Sequence, residues 1–281
     1  MKHIPVLLDA VMNELGDLSN CHVLDATFGA GGYTRAFLDA GASVVAFDRD
    51  PNVLVDVDDI KKEFGNRFNF IPQPFSKMSE LDDKFDAIVF DLGISSMQID
   101  IPERGFSFRS DAPLDMRMSE TGMSAADLIA GSTETELAQI LREYGDVSKA
   151  TVLARAIIQA NPKTTFELRD LIYNPRDIAP VFQALRIAVN DEMGEVKRAL
   201  VAVPNLLKQN GKCLVVTFHS IEDRIVKNIF RDWTTVAGNP HIPVAASVPF
   251  KLIRAVVPND TELENNPRAR SAHMRGVQKS Y

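Results

Sequence analysis

The stretch from Val23 to Thr34 constrains the fold of this chain more than any other part of the sequence. It reads Val-Leu-Asp-Ala-Thr-Phe-Gly-Ala-Gly-Gly-Tyr-Thr, which predicts an apolar strand, a glycine-rich turn and the first turn of a helix. Glycines let the backbone turn tightly and approach a ligand, and a helix N-terminus directs free N–H groups towards it. The stretch therefore predicts a nucleotide-binding βαβ unit.

An acidic residue follows the second predicted strand, Ser43–Phe47. This residue, Asp48, lies 19 positions after Gly29, close to the spacing of about 20 residues at which an acid meets ribose hydroxyls. The dinucleotide fingerprint is only partly matched, because Thr34 stands in the place of its third glycine. Asp25 beside the turn disfavours a pyrophosphate and suits a ligand with an ammonium group. The pattern favours S-adenosylmethionine over NAD, and a turn that needs glycine only for its backbone stays an alternative.

Composition excludes several classes of protein. The chain has 281 residues, of which 45% are hydrophobic and 25% charged. These values are typical of a globular protein whose core needs no disulfide or metal to be stable. Cys21 and Cys213 show no metal-ligand spacing, so we expect reduced thiols and no metal. Asp9 and Glu14 interrupt the N-terminal apolar stretch, which argues against a signal peptide. No apolar run approaches the roughly 20 residues that span a bilayer, and we expect a cytoplasmic protein.

Charge is distributed unevenly along the chain. The formal net charge is −7, which argues against non-specific binding to nucleic acid. The end of the chain, from Asn265 onwards, nevertheless contains no acidic residue and carries basic ones, including Arg268 and Arg270. A basic end can bind a phosphate backbone even when the whole chain is acidic. A solvated tail is the alternative.

Three further residues follow predicted strands, at the edge where open α/β sheets bind ligands. Asp91 ends the apolar run that begins at Asp86, and His219 follows the strand Lys212–Phe218. Phe75 follows a rigid Pro-Gln-Pro turn after the third strand, where its ring would lie against an adenine or pack in the core. These residues are candidates for the site.

The middle of the chain lacks strand patterns. A polar loop beginning near Glu103 presents Phe106, Phe108 and Arg109, a combination that suits stacking on unpaired bases. Apolar residues at helical spacing then predict helices over 124–130, 135–144, 149–161, 165–173 and 181–190. We expect an α/β domain of residues 1–103 and 190–281, with an inserted all-helical substrate-recognition domain of residues 104–189. A helix over 192–209 and strands over 251–257 and 272–278, which a polar link from Pro258 to Arg270 joins, complete the prediction.

Several motifs together resemble one family, the bacterial small-subunit (16S) rRNA cytosine-N4 methyltransferases, known as RsmH or MraW. They cover the chain from end to end, and the stretches that begin at Glu103 and Asn266 are the most specific. The chain is short for the family between Trp233 and Lys251. The motifs are HIPVLL from His3, DATFGAGGYTR from Asp25, FDRDP from Phe47, DLGISSMQ from Asp91, ERGFSFRSDAPLDMRM from Glu103, FQALRIAVNDE from Phe182, FHSIEDRIVK from Phe218 and NPRARSAHMR from Asn266.

The resemblance implies a class I methyltransferase fold, S-adenosylmethionine as the methyl donor, and a cytidine in the decoding centre of small-subunit rRNA as the target. It also implies, by motif match, a cofactor site that comprises Gly31, Gly32, Tyr33, Asp48, Phe75, Asp91 and Gln98. As candidate RNA contacts we take Phe106, Phe108, Arg109, Asn190, Arg268 and Arg270.

Methylation of a cytosine amine needs a hydrogen-bond acceptor and a base, because the amine shares its lone pair with the ring. Amino-methyltransferases typically place a Pro-Pro-aromatic turn here, whereas this chain continues from Asp91 with Leu-Gly-Ile-Ser-Ser. We therefore take Phe106 or Phe108 as the aromatic clamp, Asp91 as a ligand of cofactor or amine, and His219 as a second candidate base. The cytidine must be flipped or unpaired.

Two other classes of protein compete with this reading. An NAD-linked oxidoreductase would use the same sheet but would need a glycine near position 34. A non-catalytic RNA-binding or assembly factor would use the fold as a scaffold, although Asp48 and the glycine loop are intact. The sequence leaves open the state of the rRNA substrate, the oligomeric state and the role of the segment between Trp233 and Lys251.

Overall fold

A computed structural model describes residues 5–235 and 248–280, so most of the segment between Trp233 and Lys251 lies outside the described residues. The chain divides into two compact units. The first comprises Met1–Gly93 and Glu195–Tyr281, and the second comprises Ile94–Gly194. The sequence predicted these boundaries near residues 103 and 190. Across the described ranges, no helix combines the length and the apolar character that crossing a membrane requires.

A seven-stranded sheet is the centre of the first unit. Its strands have the order β3-β2-β1-β4-β5-β7-β6, in which the first five are parallel and β7 is antiparallel to both of its neighbours. The predicted, mostly parallel α/β architecture is confirmed. The strands are β1 (His22–Asp25), β2 (Ser43–Phe47), β3 (Phe68–Ile71), β4 (Phe85–Asp91), β5 (Leu207–Thr217), β6 (Phe250–Val256) and β7 (His273–Lys279).

The helices follow the apolar periodicity of the sequence closely. In chain order they are α1 (Leu8–Leu15), α2 (Gly32–Asp39), α3 (Leu54–Phe64), α4 (Ser96–Asp100), α5 (Ala125–Gly131), α6 (Glu134–Gly145), α7 (Ala150–Ala160), α8 (Thr165–Asp170), α9 (Ile178–Asn190), α10 (Glu192–Leu206), α11 (Ser220–Thr234) and α12 (Asp260–Asn265).

The central strands are buried on both faces, which explains their uninterrupted apolar sequences. Val23 and Leu24 are neighbours in β1 whose side chains point to opposite faces, and both are 0% exposed. The same holds for Ile88 and Val89 in β4. A parallel strand that is covered on both faces has such an uninterrupted apolar sequence. The polar residues that end these strands are consequently confined to the carboxyl edge of the sheet.

The second unit is built mainly of helices around an apolar core of its own. Capping boxes start four of these helices, at Ser95, Ser124, Thr133 and Thr164, where the side chain of each accepts from the backbone N–H three residues later. The irregular segment before α5 also contributes to the core, since Leu114 and Met116 are buried. This segment is therefore part of the packed interior as well as a surface loop.

Two predictions for the last third of the chain differ from the structure, one in the end of a helix and one in the content of a link. The helix expected to reach Gln209 ends at Leu206, because Leu207 already pairs with Phe85 as the first residue of β5. The expected polar link between the last two strands contains α12, whose first turn is capped by Asn259. The six residues of this helix, Asp-Thr-Glu-Leu-Glu-Asn, include a single apolar side chain, so they show no apolar periodicity.

Candidate functional site

The glycine-rich loop joins β1 to α2 and needs glycine for two reasons. Gly29 and Gly31 have φ values of +54° and +73°, in the left-handed region that side chains disfavour. A Cβ atom on Gly31 would lie 2.6 Å from Ile60 Cδ1, and one on Gly32 would collide with the ring of Pro5. The loop is thus fixed by its packing as well as by its backbone conformation.

Asp25, the last residue of β1, is hydrogen-bonded to residues on both sides of this loop. It is 1% exposed, and its two oxygens accept hydrogen bonds from the Thr27 N–H at 3.1 Å and from Thr34 Oγ1 at 2.7 Å. Burial raises the pKa of Asp25 to about 6. These contacts give Asp25 a structural role, which differs from the contact with a ligand ammonium that the sequence suggested.

Asp48 stands at the end of β2, beside the same loop. One of its oxygens accepts from the Gly29 N–H at 2.8 Å and the other from the Asp50 N–H at 2.9 Å. Burial raises the pKa of this carboxyl. Each carboxylate oxygen can accept a second hydrogen bond, so Asp48 can bind ribose hydroxyls while it holds the loop.

Asp91 stands at the end of β4 and differs from both of these acids. Its backbone N–H donates to Thr27 Oγ1 at 2.7 Å, which fixes its position next to the loop. Its Oδ1 atom is buried and has no hydrogen-bond partner among the described residues. Burial, followed by the charges of Asp25 and Glu222, raises the pKa of Asp91 well above its usual range. A buried acceptor without a partner is costly, and a ligand that carries donors would remove that cost.

His219 is the N-cap of α11 and faces Glu222 with both ring nitrogens. Its Nδ1 accepts from the Glu222 N–H at 3.4 Å, and its Nε2 lies 3.0 Å from Glu222 Oε1. Glu222 is 1% exposed and also accepts from the Phe218 N–H at 2.8 Å. The Nε2 atom of His219 is buried and, like Asp91 Oδ1, has no hydrogen-bond partner among the described residues, so both side chains stay candidates for the base. The sequence analysis missed Glu222, although its spacing of three residues from His219 signals a capping box.

Two aromatic residues of the predicted cofactor site differ in accessibility. Tyr33 is 3% exposed, and its hydroxyl donates to the Val6 carbonyl. Phe75 is half-buried and packs edge-to-face on Phe90 with ring centroids 5.7 Å apart. The next residue, Ser76, donates its N–H to Glu195 Oε2 at 3.3 Å, which fixes the turn that carries Phe75. Phe75 therefore retains ring surface that a ligand can cover.

The first unit thus brings the loop, Asp48, Phe75 and Asp91 to one edge of its sheet. Gln98 belongs to the second unit, where it is 5% exposed and its Oε1 accepts from the Ser95 N–H at 3.0 Å. That contact is half of the capping box that starts α4. Within the described residues, no cluster of three or more His, Cys, Asp or Glu side chains has the geometry to hold a metal ion.

Phe106 does not lie on the surface as expected. It is 8% exposed, belongs to the core of the second unit, and has the Arg104 guanidinium 5.6 Å from its ring centroid. Phe108 is half-buried and packs edge-to-face on Phe182, with centroids 5.4 Å apart. Arg109 is exposed. The expectation of exposed stacking rings was therefore wrong for Phe106, whereas Phe108 and Arg109 stay candidates.

Asn190 uses its side chain inside the second unit. It is 6% exposed, its Nδ2 donates to the Met116 carbonyl at 2.7 Å and to the Arg186 carbonyl at 2.9 Å, and its Oδ1 accepts from the Met118 N–H at 2.8 Å. These contacts tie the irregular segment to the end of α9. In the first unit, by contrast, Arg268 and Arg270 are exposed.

Comparison with known proteins gives a consistent family. The model of the MraW methylase family matches residues 1–280. The ribosomal RNA small subunit methyltransferase H of Mesorhizobium japonicum is 46% identical, over 99% of this chain and 87% of its own. The proteins of the same name from Rhizorhabdus wittichii and Methylorubrum extorquens are each 43% identical, over 97% and 99% of this chain and 92% and 87% of theirs.

Proposed function

Since the chain belongs to the MraW methylase family, it is an S-adenosylmethionine-dependent methyltransferase, and we propose that its target is the exocyclic N4 amine of a cytidine in the decoding centre of small-subunit (16S) rRNA. Relatives that share 43% to 46% of its residues over nearly the whole chain are named small-subunit rRNA methyltransferases. Such a substrate places the activity in the cytoplasm, on the ribosome or its precursors.

The observation that carries the proposal is the unpartnered Oδ1 of Asp91, whose backbone N–H is bonded to Thr27 at the start of the glycine-rich loop. The loop residues Gly31–Tyr33, with Asp48 and Phe75, would hold S-adenosylmethionine. S-adenosylmethionine would supply a methyl group that its sulfonium already activates. The carboxyls of Asp25, Asp48 and Asp91 at this edge suit a cationic ligand, because each has its pKa raised by burial and is stabilised as an anion by a positive charge.

The residues of the chain must then make the amine reactive. A cytosine amine is a poor nucleophile, and a hydrogen bond from it to a carboxylate localises its lone pair. Asp91 Oδ1 is an acceptor with no internal partner among the described residues, and its raised pKa suits it to take the proton that the amine loses. We assign that role to Asp91, with His219 as the second candidate. Positioning supplies much of the remaining acceleration, up to about 7–11 kcal/mol in favourable cases.

A product assay tests the proposal. The protein is incubated with S-adenosylmethionine and small ribosomal subunits from cells that lack this activity, and the digested RNA is analysed for methylated nucleosides by mass spectrometry. We expect N4-methylcytidine from the wild-type protein and a strongly reduced yield from Asp91→Ala. Naked rRNA and assembly intermediates, assayed in parallel, identify the state of the RNA that is methylated.

The competing classes give different results in the same assay. A scaffold or assembly factor would bind S-adenosylmethionine yet produce no methylated nucleoside with any state of the RNA. That result, with cofactor binding confirmed separately, would refute the proposed activity. An oxidoreductase would instead bind NADH, which a fluorescence titration detects.

A further inference from the structure

One face of α11 carries exposed cations at helical spacing. Arg224, Lys227 and Arg231 are all exposed and follow one another at intervals of three and four residues, so they share one side of the helix. From the first to the last they span about 10 Å, at 1.5 Å per residue. Among the described residues, neither Arg224 nor Lys227 has an ion-pair partner.

The acids of α11 do little to balance these cations. Glu222 is 1% exposed and is engaged with His219. Asp223 accepts two hydrogen bonds from Arg275, at 2.6 and 2.9 Å, so its charge is already neutralised. Asp232 lies 3.5 Å from Arg231 and is a weak, exposed partner. The six charged residues of α11 sum to zero, but its exposed cations outnumber its exposed acids, in a chain whose formal net charge is −7.

Sheet topology connects this face to the site. The antiparallel strand β7 begins at His273, which pairs with Thr217 at the carboxyl end of β5, while Asp91 pairs with the adjacent Val216. The turn that carries Arg270 immediately precedes β7 and so lies at this same edge. Helix α11 begins there too, directly after β5. A run of positive charge thus starts at the edge that holds Asp91 and continues along α11.

We propose that Arg224, Lys227 and Arg231 form a phosphate-binding stripe that holds the RNA strand flanking the target nucleotide. The inference rests on the proposed function and adds to it a defined path for the RNA backbone. The partner is RNA because exposed cations in a row, with their local acids buried or already paired, match a row of phosphates. The stripe supplies affinity and orientation rather than chemistry, since phosphate contacts position a nucleic acid.

The dependence of RNA binding on salt tests the stripe. We compare the wild-type chain with the double variant Arg224→Gln/Lys227→Gln, using naked small-subunit rRNA as the probe. Each lost contact to single-stranded RNA should reduce the slope of log K against log salt by about 0.7, or about 1.4 for the pair. Adding Arg231→Gln should reduce it by about 0.7 more. The KM for RNA should rise, whereas kcat at saturating RNA and the affinity for S-adenosylmethionine should stay unchanged.

The matched control is Lys61→Gln/Lys62→Gln, which removes two exposed cations from α3. It should leave the slope and the KM at the wild-type values, and thermal melting should show that both double variants are folded. Equal slopes for the stripe variant and this control would overturn the inference. A stripe variant that loses activity on intact subunits while its slope on naked rRNA is unchanged would also overturn it, in favour of a protein contact.

Failure of the stripe and failure of the proposed function are distinguishable. If the wild-type chain makes N4-methylcytidine and the slopes do not differ, the stripe alone is wrong. If the wild-type chain binds RNA with a slope that the stripe variant reduces, but no methylated nucleoside is formed, the stripe stands and the enzymatic proposal fails.

Discussion

Two buried polar groups, one in each unit, show opposite states of hydrogen bonding. Asn190 of the second unit makes three hydrogen bonds with its own unit, to Met116, Arg186 and Met118. Asp91 of the first unit leaves its buried Oδ1 without a partner among the described residues. The sequence marked both as site residues. Their hydrogen bonds distinguish their roles. A polar side chain that makes its hydrogen bonds within the protein stabilises the fold.

The difference has an energetic meaning. A satisfied buried amide contributes to stability, and removing it leaves its partners unpaired. An unsatisfied buried carboxylate costs stability until a ligand supplies donors, and burial of Asp91 raises its pKa accordingly. Loss of Asp91 should therefore harm activity, whereas loss of Asn190 should harm folding. Each prediction below tests one side of this contrast.

Asp91→Ala should produce the largest effect. We expect kcat at saturating S-adenosylmethionine and rRNA to fall by about 10²- to 10⁴-fold, the range for loss of a positioned proton acceptor. The melting temperature should stay the same or rise, because an uncompensated buried carboxyl has been removed. Turnover assays and thermal melting measure the two effects. Full turnover by this variant would show that Asp91 does not act on the amine.

Asn190→Ala should destabilise the second unit by about 2–4 kcal/mol, because the backbone groups of Met116 and Met118 lose their partner. Denaturant unfolding measures this loss, and binding of S-adenosylmethionine should persist under conditions where the variant is folded. If stability is unchanged but methyl transfer is lost, Asn190 contacts the substrate, and the contrast with Asp91 is incorrect.

The strands and helices of the fold were largely predictable because burial leaves a pattern in the sequence. Strand β4 is an apolar run that ends in an acid, and Asp91 was correctly placed at the carboxyl edge of the sheet. The position of β7 between β5 and β6 was not predictable, because it depends on pairing between distant segments. Topology, rather than local pattern, places Arg270 at the edge of the site.

The orientation of individual side chains could not be predicted from the sequence. A buried Phe106 and an exposed phenylalanine in a polar loop look alike in sequence, and only packing against Leu114 and the neighbouring core residues distinguishes them. The same applies to Asp25, which bonds to Thr34 nine positions away. Residue type indicates what a side chain can do, whereas the contacts within the fold decide whether it is free to do it.

The glycine loop offers a matched pair of substitutions in the same backbone region. Gly31→Ala and Gly29→Ala both force a side chain into positive φ, at a cost of about 1–2 kcal/mol. Only Gly31→Ala also brings a Cβ atom to 2.6 Å from Ile60, whereas nothing lies within 4 Å at Gly29. We expect Gly31→Ala to be more destabilising by a further 1–3 kcal/mol or so, as overpacking costs. Equal losses in denaturant unfolding would show that Ile60 moves away freely.

The smallest predicted effect is on the pH dependence of cofactor binding. Because burial raises the pKa of Asp91, the ligand-free site holds a proton that a cationic ligand displaces. The ligand-free fold loses stability as pH rises through a raised carboxyl pKa, so affinity for S-adenosylmethionine should rise with pH, by up to about tenfold per unit, and level off above that pKa. Calorimetry in buffers of different ionisation enthalpy counts the protons released. Asp91→Asn should remove this release and leave only a smaller one from the other two carboxyls whose pKa values burial raises, Asp25 and Asp48. An unchanged release would mean that Asp91 is not the group the ligand neutralises, and its unpartnered oxygen would need another explanation.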